Sequence, residues 1–259
     1  MDMSKPETTY ARIFFTLIRR QADTMTFRRL VRAGEPLSKA QASGEDTQLA
    51  NDILKDPKYD EYFLDRQKAV EFFGGTEALA NSWTQGKIST LRGIVDLASV
   101  VVMHSALDAA LTDLCRLAAT IKPSDWEERI SDKQIRLASV KTTPYETLLR
   151  ERLHDHLAAL EKESMLKRTE ALLAVCQPPA GYVGVNWYTW DRTELARIDQ
   201  LRHDLIHGRL AAPPPTEVER DIEFLVKTGL YFWTMLNAKY HIKVDLLFEL
   251  RDRFPSAPF

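Results

Sequence analysis

The sequence predicts an all-α protein built as a helical bundle, and three observations lead to this prediction. Apolar residues recur at three- and four-residue spacing through most of the 259-residue chain, which is typical of amphipathic helices. Hardly any stretch shows the alternating pattern of a β-strand. Hydrophobic residues make up 44% and charged residues 28% of the chain, the composition of a globular protein with a buried core.

The first 87 residues are predicted to form a helical N-terminal extension of unknown role. A helix over about 10–32 is expected to end at Gly34, with Pro36 just beyond, because both residue types disfavour helix continuation. Residues 37–47 are small and polar and indicate a loop. Further helical segments are predicted over 46–55, from Pro57 to Gly74, and over 77–85.

Residues 88–259 are predicted to form the helical bundle itself. The strongest helix, 88–121, is apolar nearly all round, which marks a helix enclosed by others. Its polar exceptions are spaced by four residues and form one stripe, made of His104, Asp108, Thr112 and Arg116. Further helices are predicted over 145–176, over 191–207 with Asp191 and Glu194 as a capping box, and over 216–250, with a short hairpin or ordered loop at 182–190.

Charge and composition bound the possible partners. The formal net charge of −2 argues against a protein that coats nucleic acid by bulk attraction. Residues 1–33 carry seven basic and three acidic side chains, a net of +4, whereas residues 34–87 carry six and ten, a net of −4. These segments could pair with each other, or the first could contact a polyanion. The N-terminal region is therefore a candidate site for a protein regulator.

No membrane contact, cofactor or bound metal is expected. The longest apolar stretch, 97–103, contains Ser99 and is too short to span a bilayer. The polar start of the chain does not resemble a secretion signal. Cys115 and Cys176 lie in helix-like patterns, which favours buried, reduced thiols in a cytoplasmic protein.

The segment Arg202-His203-Asp204-Leu205-Ile206-His207, at the end of the 191–207 helix, carries the strongest chemical signal. A guanidinium stays charged and can bind two phosphate oxygens, whereas an imidazole titrates near neutrality and can accept or donate a proton. Cleavage of RNA by its own 2′-OH needs both functions, with a cation over the crowded phosphate. These residues therefore favour a phosphodiester site.

The pattern of arginine, a polar residue, three further residues and histidine resembles the signature of the HEPN superfamily. The resemblance covers about 88–250 and implies an all-α bundle that is a metal-independent endoribonuclease for single-stranded RNA, leaving a 2′,3′-cyclic phosphate. It also implies a toxin, phage-defence effector or RNA-processing factor, and a homodimer whose two motifs face each other. Matched residue by residue, Arg202 and His207 would be the catalytic pair and His203 the accessory polar residue. Arg209 stands where one antitoxin-paired group of the superfamily has tyrosine.

Helical geometry separates the two principal residues of the motif. Five residues at about 100° each leave Arg202 and His207 roughly 140° apart on a straight helix. Either the helix ends or bends between them, as Gly208 permits, or each residue acts with a copy from a second subunit, which a symmetric dimer supplies.

Other residues are candidates for supporting roles. Asp108 could orient His203 or His207, as a carboxylate does in hydrolase triads; alternatively the polar stripe is a satisfied ladder between helices. The aromatic residues before the motif could stack on unpaired bases or pack against the bundle. The candidate RNA contacts are Trp187, Tyr188, Trp190 and Arg209.

Different interpretations of the motif remain open. Arg202 could pair with Asp199 or an external carboxylate while His207 caps the helix C-terminus, which would make the cluster structural. His203 and His207 are four residues apart and could bind a transition metal, although no third ligand is apparent. The chain could also be a non-catalytic HEPN-like module that binds RNA or protein, or a structural helical adaptor.

Overall fold

The computed structural model describes residues 5–55, 74–130, 143–177, 190–207 and 215–243. These ranges are helical almost throughout and contain no strand, so the prediction of an all-α protein is confirmed. In chain order the helices are α1 Pro6–Lys55, α2 Thr76–Ile121, α3 Glu127–Ile130, α4 Tyr145–Leu160, α5 Met165–Val175, α6 Arg192–Ile206 and α7 Pro215–Tyr240, with a 3₁₀ turn at Pro123–Trp126 before α3.

Helix α2 is the centre of the bundle, because α1, α4, α5, α6 and α7 all pack against it. Its side chains Met103, Leu107, Leu111 and Leu114 are fully buried. The buried faces of α5, α6 and α7 complete one apolar core around them. The nearly all-round apolar character of α2 is therefore explained by its enclosure.

By length and composition, α2 would also be able to cross a membrane. Within its most apolar 18-residue window, 44% of the residues are buried inside the bundle. The enclosed helix of a soluble protein has the same composition, so this property alone is weak support for a membrane span.

Helix α1 continues without a break past Gly34 and Pro36, so the predicted helix end and the predicted loop over 37–47 are wrong. Proline inside a helix removes one backbone hydrogen bond and costs about 3 kcal/mol. Contacts with α2 on both sides of Pro36 favour the continuous helix, since Arg28 binds Asp96 before the proline and Asp46 accepts from Thr84 after it.

Two clusters of polar contacts join this part of α1 to α2. Arg92 donates from Nε to Glu35 Oε2 at 2.8 Å. Farther along, Thr84 donates to Asp46 Oδ2 at 2.8 Å, and Lys87 pairs with the same carboxylate. These partners lie 38 to 57 residues away in sequence, so local composition alone does not reveal them.

The N-terminal region and the bundle share one core. Tyr10, Ile13 and Leu17 of α1 belong to the same buried cluster as the apolar faces of α2 and α7. The boundary predicted between residues 87 and 88 falls inside α2, which begins at Thr76. The helix predicted to begin at Pro57 and most of the segment over 182–190 lie outside the described residues.

The single helix predicted over 145–176 is wrong, because the chain forms α4 and α5 with a turn between them. Ser164 caps α5 by accepting a hydrogen bond from the backbone N–H of Lys167. Arg168 donates through Nη1 to the carbonyl oxygens of Leu160 at 3.4 Å and Glu161 at 2.8 Å. The buried guanidinium thus satisfies the carbonyl groups that the end of α4 leaves open.

Helix α7 ends at Tyr240, about ten residues before the predicted end at 250. His241 adopts φ 55°, and its N–H donates to the carbonyl of Asn237 at 2.7 Å. The side chain of Asn237 in turn donates to the carbonyl of Ile242 at 2.9 Å. A left-handed residue and a side-chain bond of this kind terminate a helix.

Candidate functional site

Helix α6 begins where the sequence predicts. The Asp191 carboxylate accepts hydrogen bonds from the N–H groups of Thr193 at 2.8 Å and Glu194 at 3.1 Å. The carboxylate of Glu194, the second residue of the predicted capping box, accepts a hydrogen bond from Arg197 Nη2 at 2.8 Å. This cap fixes the start of the helix that carries the motif.

A polar cleft of about 530 Å³ opens between α2, α6 and the turn and first residues of α5. Helix α2 contributes His104 and Asp108, both members of the predicted polar stripe, and α5 contributes Arg168. Helix α6 contributes Arg202 and His203 of the motif, together with Asp199. The structure therefore brings the stripe and part of the motif to one cavity.

His104 and Asp199 join α2 to α6 across the floor of this cleft. His104 is only 4% exposed, and its Nε2 lies 2.9 Å from Asp199 Oδ1. This hydrogen bond lowers the pKa of the Asp199 carboxyl below its ordinary value, against the opposing effect of desolvation. The positive charges of Arg202 and Arg168 lower it further.

Arg202 lines the cleft and is partly exposed. Its Nε is buried and has no hydrogen-bond partner, and no ion pair within 4.0 Å joins it to a carboxylate among the described residues. The structural interpretation of the motif offered an Arg202–Asp199 pair, yet Asp199 binds His104 instead. The other part of that interpretation, His207 at the C-cap of α6, is present. Because Arg202 is partly exposed, lines the cleft and has no carboxylate paired with it among the described residues, its outer nitrogens can contact an external anion there.

His203 and His207 lie at the C-terminal end of α6, and both are exposed. Their ring centroids are 4.4 Å apart, with the planes inclined by 56°. His203 is part of the cleft wall, whereas His207 forms the C-cap of α6 and is not among the residues that line this cavity. Within one chain, His203 is thus the imidazole beside Arg202, and His207 stands next to His203.

The two histidines form an incomplete metal site. Among the described residues, no group of three or more His, Cys, Asp and Glu side chains could hold a metal ion. Two imidazoles alone leave a zinc ion short of protein ligands.

Asp108 is engaged by Arg168. The two side chains form an ion pair, with Arg168 4% exposed and Asp108 42% exposed. Asp108 therefore pairs with a cation from α5 and not with a motif imidazole, which agrees with the alternative of a satisfied polar contact between helices. Its place in the cleft wall is fixed by the same guanidinium that caps α4.

The remaining members of the polar stripe lie away from the motif. Thr112 donates to the backbone carbonyl of Asp108 at 3.0 Å. Arg116 donates from Nε to Glu161 Oε1 at 2.7 Å, in the turn after α4. His104 and Asp108 of the stripe therefore line the cleft. Thr112 instead bonds to the backbone of α2, and Arg116 bonds to the turn after α4.

Of the four candidate RNA contacts, only Trp190 lies within the described residues; Trp187, Tyr188 and Arg209 lie outside them. Trp190 is half-buried and packs edge-on against Phe232, with ring centroids 5.7 Å apart. This is the packing against the bundle that the sequence left open as the alternative to base stacking.

Sequence reasoning did not identify Arg168 as a member of the site, and it considered Asp199 only as a partner of Arg202. The position of Asp199, three residues before Arg202 and four before His203, was a usable signal because those spacings share a helix face. Arg168 offered no such signal, since its partner Asp108 is 60 residues away.

No protein-family model, curated protein or solved structure matches this chain. Membership of the HEPN superfamily is therefore still a prediction from the motif. The function is inferred from the residues of the cleft.

Proposed function

We propose that the protein is a metal-independent endoribonuclease of the HEPN type that cleaves single-stranded RNA by attack of the 2′-OH. One observation carries the proposal: Arg202 lies in a polar cleft beside His203, with no carboxylate bound to its guanidinium among the described residues. A permanently charged, unpaired guanidinium next to an exposed imidazole suits a phosphodiester.

In the proposed reaction Arg202 binds the scissile phosphate and stabilises the charge that grows on its oxygens. One motif imidazole, from His203 or His207, accepts the proton of the 2′-OH as O2′ attacks phosphorus. The other, in its protonated form, donates a proton to O5′ as the P–O5′ bond breaks. The products are a 2′,3′-cyclic phosphate and a 5′-OH, without a metal or cofactor.

The proposed active form is a homodimer with two motifs facing each other. Arg202 lines the cleft, whereas His207 is exposed at the end of α6. A two-fold partner is a simple way to bring a second imidazole to the phosphate held by Arg202. Ile206, an apolar side chain 51% exposed beside His207, supports a contact at this end of the helix.

The proposed setting is the cytoplasm, where such an enzyme would act as a toxin or phage-defence effector. Degradation of cellular RNA needs restraint, and we place a protein regulator on the N-terminal region. The support for this site is the basic start of the chain, with seven basic and three acidic side chains over residues 1–33.

The decisive experiment incubates the purified protein with single-stranded RNA in excess chelator and identifies the ends of the products. We expect 2′,3′-cyclic phosphate ends from the wild type and at least a hundredfold slower cleavage by both His207→Ala and Arg202→Ala. His207→Ala removes a general acid or base, and Arg202→Ala removes the cation that stabilises the transition state. The matched control is His154→Ala, because His154 is an exposed histidine on α4.

Three outcomes would contradict the proposal in different ways. Cleavage that survives His207→Ala would refute the assigned chemistry. Cleavage that needs added divalent metal would favour the metal interpretation of His203 and His207. Binding of RNA without cleavage would favour a non-catalytic module.

Subunit mixing tests the dimer. If the site is shared, a mixture of Arg202→Ala and His207→Ala subunits should recover about a quarter of the wild-type rate, because random exchange leaves one intact site in half of the dimers. A fully active monomer by light scattering would overturn the shared site.

A further inference from the structure

We propose that His104 is a positioning residue that holds Asp199 away from Arg202 and so keeps the guanidinium open to a phosphate. The inference rests on the proposed function only for the identity of the anion. The positioning role involves three side chains on two helices, namely His104, Asp199 and Arg202. It assigns a role to a buried histidine outside the motif.

The spacing of Asp199 and Arg202 on α6 favours an ion pair between them. Asp199 precedes Arg202 by three residues, and an acidic residue at this distance from an arginine shares its helix face and readily forms an ion pair. The same helix provides the comparison, because Glu194 and Arg197 have this spacing and their oxygen and nitrogen atoms lie 2.8 Å apart. Asp199 and Arg202 would be expected to pair likewise.

The structure shows a different arrangement for the second pair. Asp199 Oδ1 lies 2.9 Å from His104 Nε2, and Arg202 Nε is buried without a hydrogen-bond partner. The charge of Arg202 still reaches Asp199, because it helps to lower the pKa of that carboxyl. The carboxylate is therefore near the guanidinium but bound elsewhere.

His104 is well placed to hold the carboxylate. It lies on α2, the central helix, beside the fully buried Met103 and one turn before the fully buried Leu107. A side chain 4% exposed on such a helix has few alternative rotamers. The charged and titratable groups that line the cleft with it are Asp108, Glu161, Lys162, Glu163, Arg168, Asp199, Arg202 and His203.

Asp199 and a phosphate would compete for the Arg202 guanidinium. An arginine that is already paired with a carboxylate must release it before it can bind a phosphate, and the carboxylate repels the incoming anion. Loss of the His104 contact should therefore weaken phosphate binding by about tenfold, the effect of one hydrogen bond to a charged group.

Three variants separate positioning from other roles. His104→Ala frees Asp199 to pair with Arg202, whereas His104→Gln keeps an amide N–H near the position of Nε2 and cannot transfer a proton. The double variant His104→Ala/Asp199→Ala removes both the restraint and the competing carboxylate. His104→Leu, which fills the buried space without a donor, replaces His104→Ala if the smaller side chain prevents folding.

The first readout needs no RNA. Phenylglyoxal modifies accessible arginines, and peptide mass spectrometry gives the rate at Arg202 in each variant. We expect a several-fold slower rate in His104→Ala, a near wild-type rate in His104→Gln, and recovery in the double variant. Arg116, which pairs with Glu161 and does not itself line the cleft, is the internal reference.

The second readout is the affinity for a single-stranded RNA oligonucleotide with 2′-O-methyl riboses, which cannot be cleaved, in excess chelator. The expected order is wild type and His104→Gln tightest, the double variant next, and His104→Ala weakest by about tenfold. A residue that only supports the fold would not produce recovery when Asp199 is removed as well.

The outcomes distinguish this inference from the proposed function. Equal Arg202 modification in the wild type and in folded His104→Ala or His104→Leu overturns the positioning role, whether or not RNA is cleaved. Failure of the double variant to recover also overturns it. A loss in His104→Gln as large as in His104→Ala would contradict it in favour of proton transfer by His104. Absence of RNA cleavage by the wild type removes the nuclease proposal and leaves the modification test decisive.

Discussion

Tyr10 and Trp233 bind each other through two reciprocal hydrogen bonds that join the start of α1 to α7. Tyr10 Oη donates to the carbonyl of Trp233 at 3.0 Å, and Trp233 Nε1 donates to the carbonyl of Tyr10 at 3.0 Å. The rings stack with centroids 4.2 Å apart and planes inclined by 6°. This contact spans 223 residues of sequence. It attaches the start of the N-terminal helix to the bundle, so we expect the two to unfold together.

Substitution at Tyr10 should therefore reduce the free energy of unfolding of the whole bundle. We expect a loss of about 1 kcal/mol for Tyr10→Phe, which removes one hydrogen bond. Tyr10→Ala should cost about 3–5 kcal/mol, because it leaves a cavity in the core. Urea denaturation followed by circular dichroism measures both. The control is Phe27→Ala, an aromatic side chain 50% exposed on the same helix; an equal loss there would contradict the role of the reciprocal contact.

The buried ion pair between Arg28 and Asp96 should be sensitive to removal of either partner. Arg28 Nη2 lies 2.7 Å from Asp96 Oδ1, and the side chains are 2% and 6% exposed. Arg28→Met or Asp96→Leu alone should cost about 3–5 kcal/mol, because each leaves a buried charge without its closest partner. The contacts that remain are longer, with Glu219 3.4 Å from Arg28 and Arg32 4.0 Å from Asp96.

The double variant Arg28→Met/Asp96→Leu should lose less stability than either single variant, since no charge remains buried. Arg29→Met is the matched control, because Arg29 is exposed on the same helix. Thermal melts of the wild type and the four variants test this prediction. Additive losses in the double variant would show that packing, rather than charge, dominates at this position.

Arg168 is predicted to be more important for the fold than for the chemistry. Arg168→Met removes the donors for the carbonyls at the end of α4 and the partner of Asp108. We expect a loss of about 3 kcal/mol in the free energy of unfolding and faster amide exchange around the α4–α5 turn. Lys167→Met, at the neighbouring exposed position, should change neither quantity. An Arg168→Met protein of normal stability would contradict the capping role.

The pH dependence of stability should contain a contribution from Asp199. Its ordinary pKa is 3.8, and the hydrogen bond from His104 lowers this value in the folded protein. A carboxyl with a lowered folded-state pKa stabilises the fold above its unfolded pKa, and this contribution is lost as the pH falls through the lowered value. Stability should thus decrease on acidification below about pH 4.

Asp199→Asn tests this sign, because the amide oxygen still accepts a hydrogen bond but carries no charge. Urea midpoints measured between about pH 3 and 7 should fall less steeply with acidification in this variant than in the wild type. Asp155→Asn, an exposed aspartate on α4, is the control. A steeper acid dependence in Asp199→Asn would contradict the assigned direction.

The sequence was most informative where the determinants of structure are local. Helical periodicity and the Asp191 cap predict α6 to within one residue at each end, and apolar composition all round predicts the enclosure of α2. The motif itself identified Arg202 and His203, and the polar stripe identified His104 and Asp108. These signals act over one to four residues and are visible in the sequence alone.

The sequence failed where distant contacts override local preference. Pro36 argues for a helix end, yet contacts with α2 on both sides favour a continuous α1. The apolar spacing over 145–176 argues for one helix, yet Arg168 and Ser164 stabilise a turn. The His104–Asp199 contact joins residues 95 positions apart, so no local pattern could reveal it.

The two ends of α1 should differ in local stability because the helix is long. Fifty residues rise through about 75 Å at 1.5 Å each. Near its start, Tyr10 and Leu17 are buried in the shared core. Past Arg32, the polar contacts of α1 that involve Glu35 and Asp46 are made to α2 alone. Amide protons beyond Gly34 should therefore exchange through a local opening that leaves the rest of the molecule folded, whereas those around Tyr10 await global unfolding.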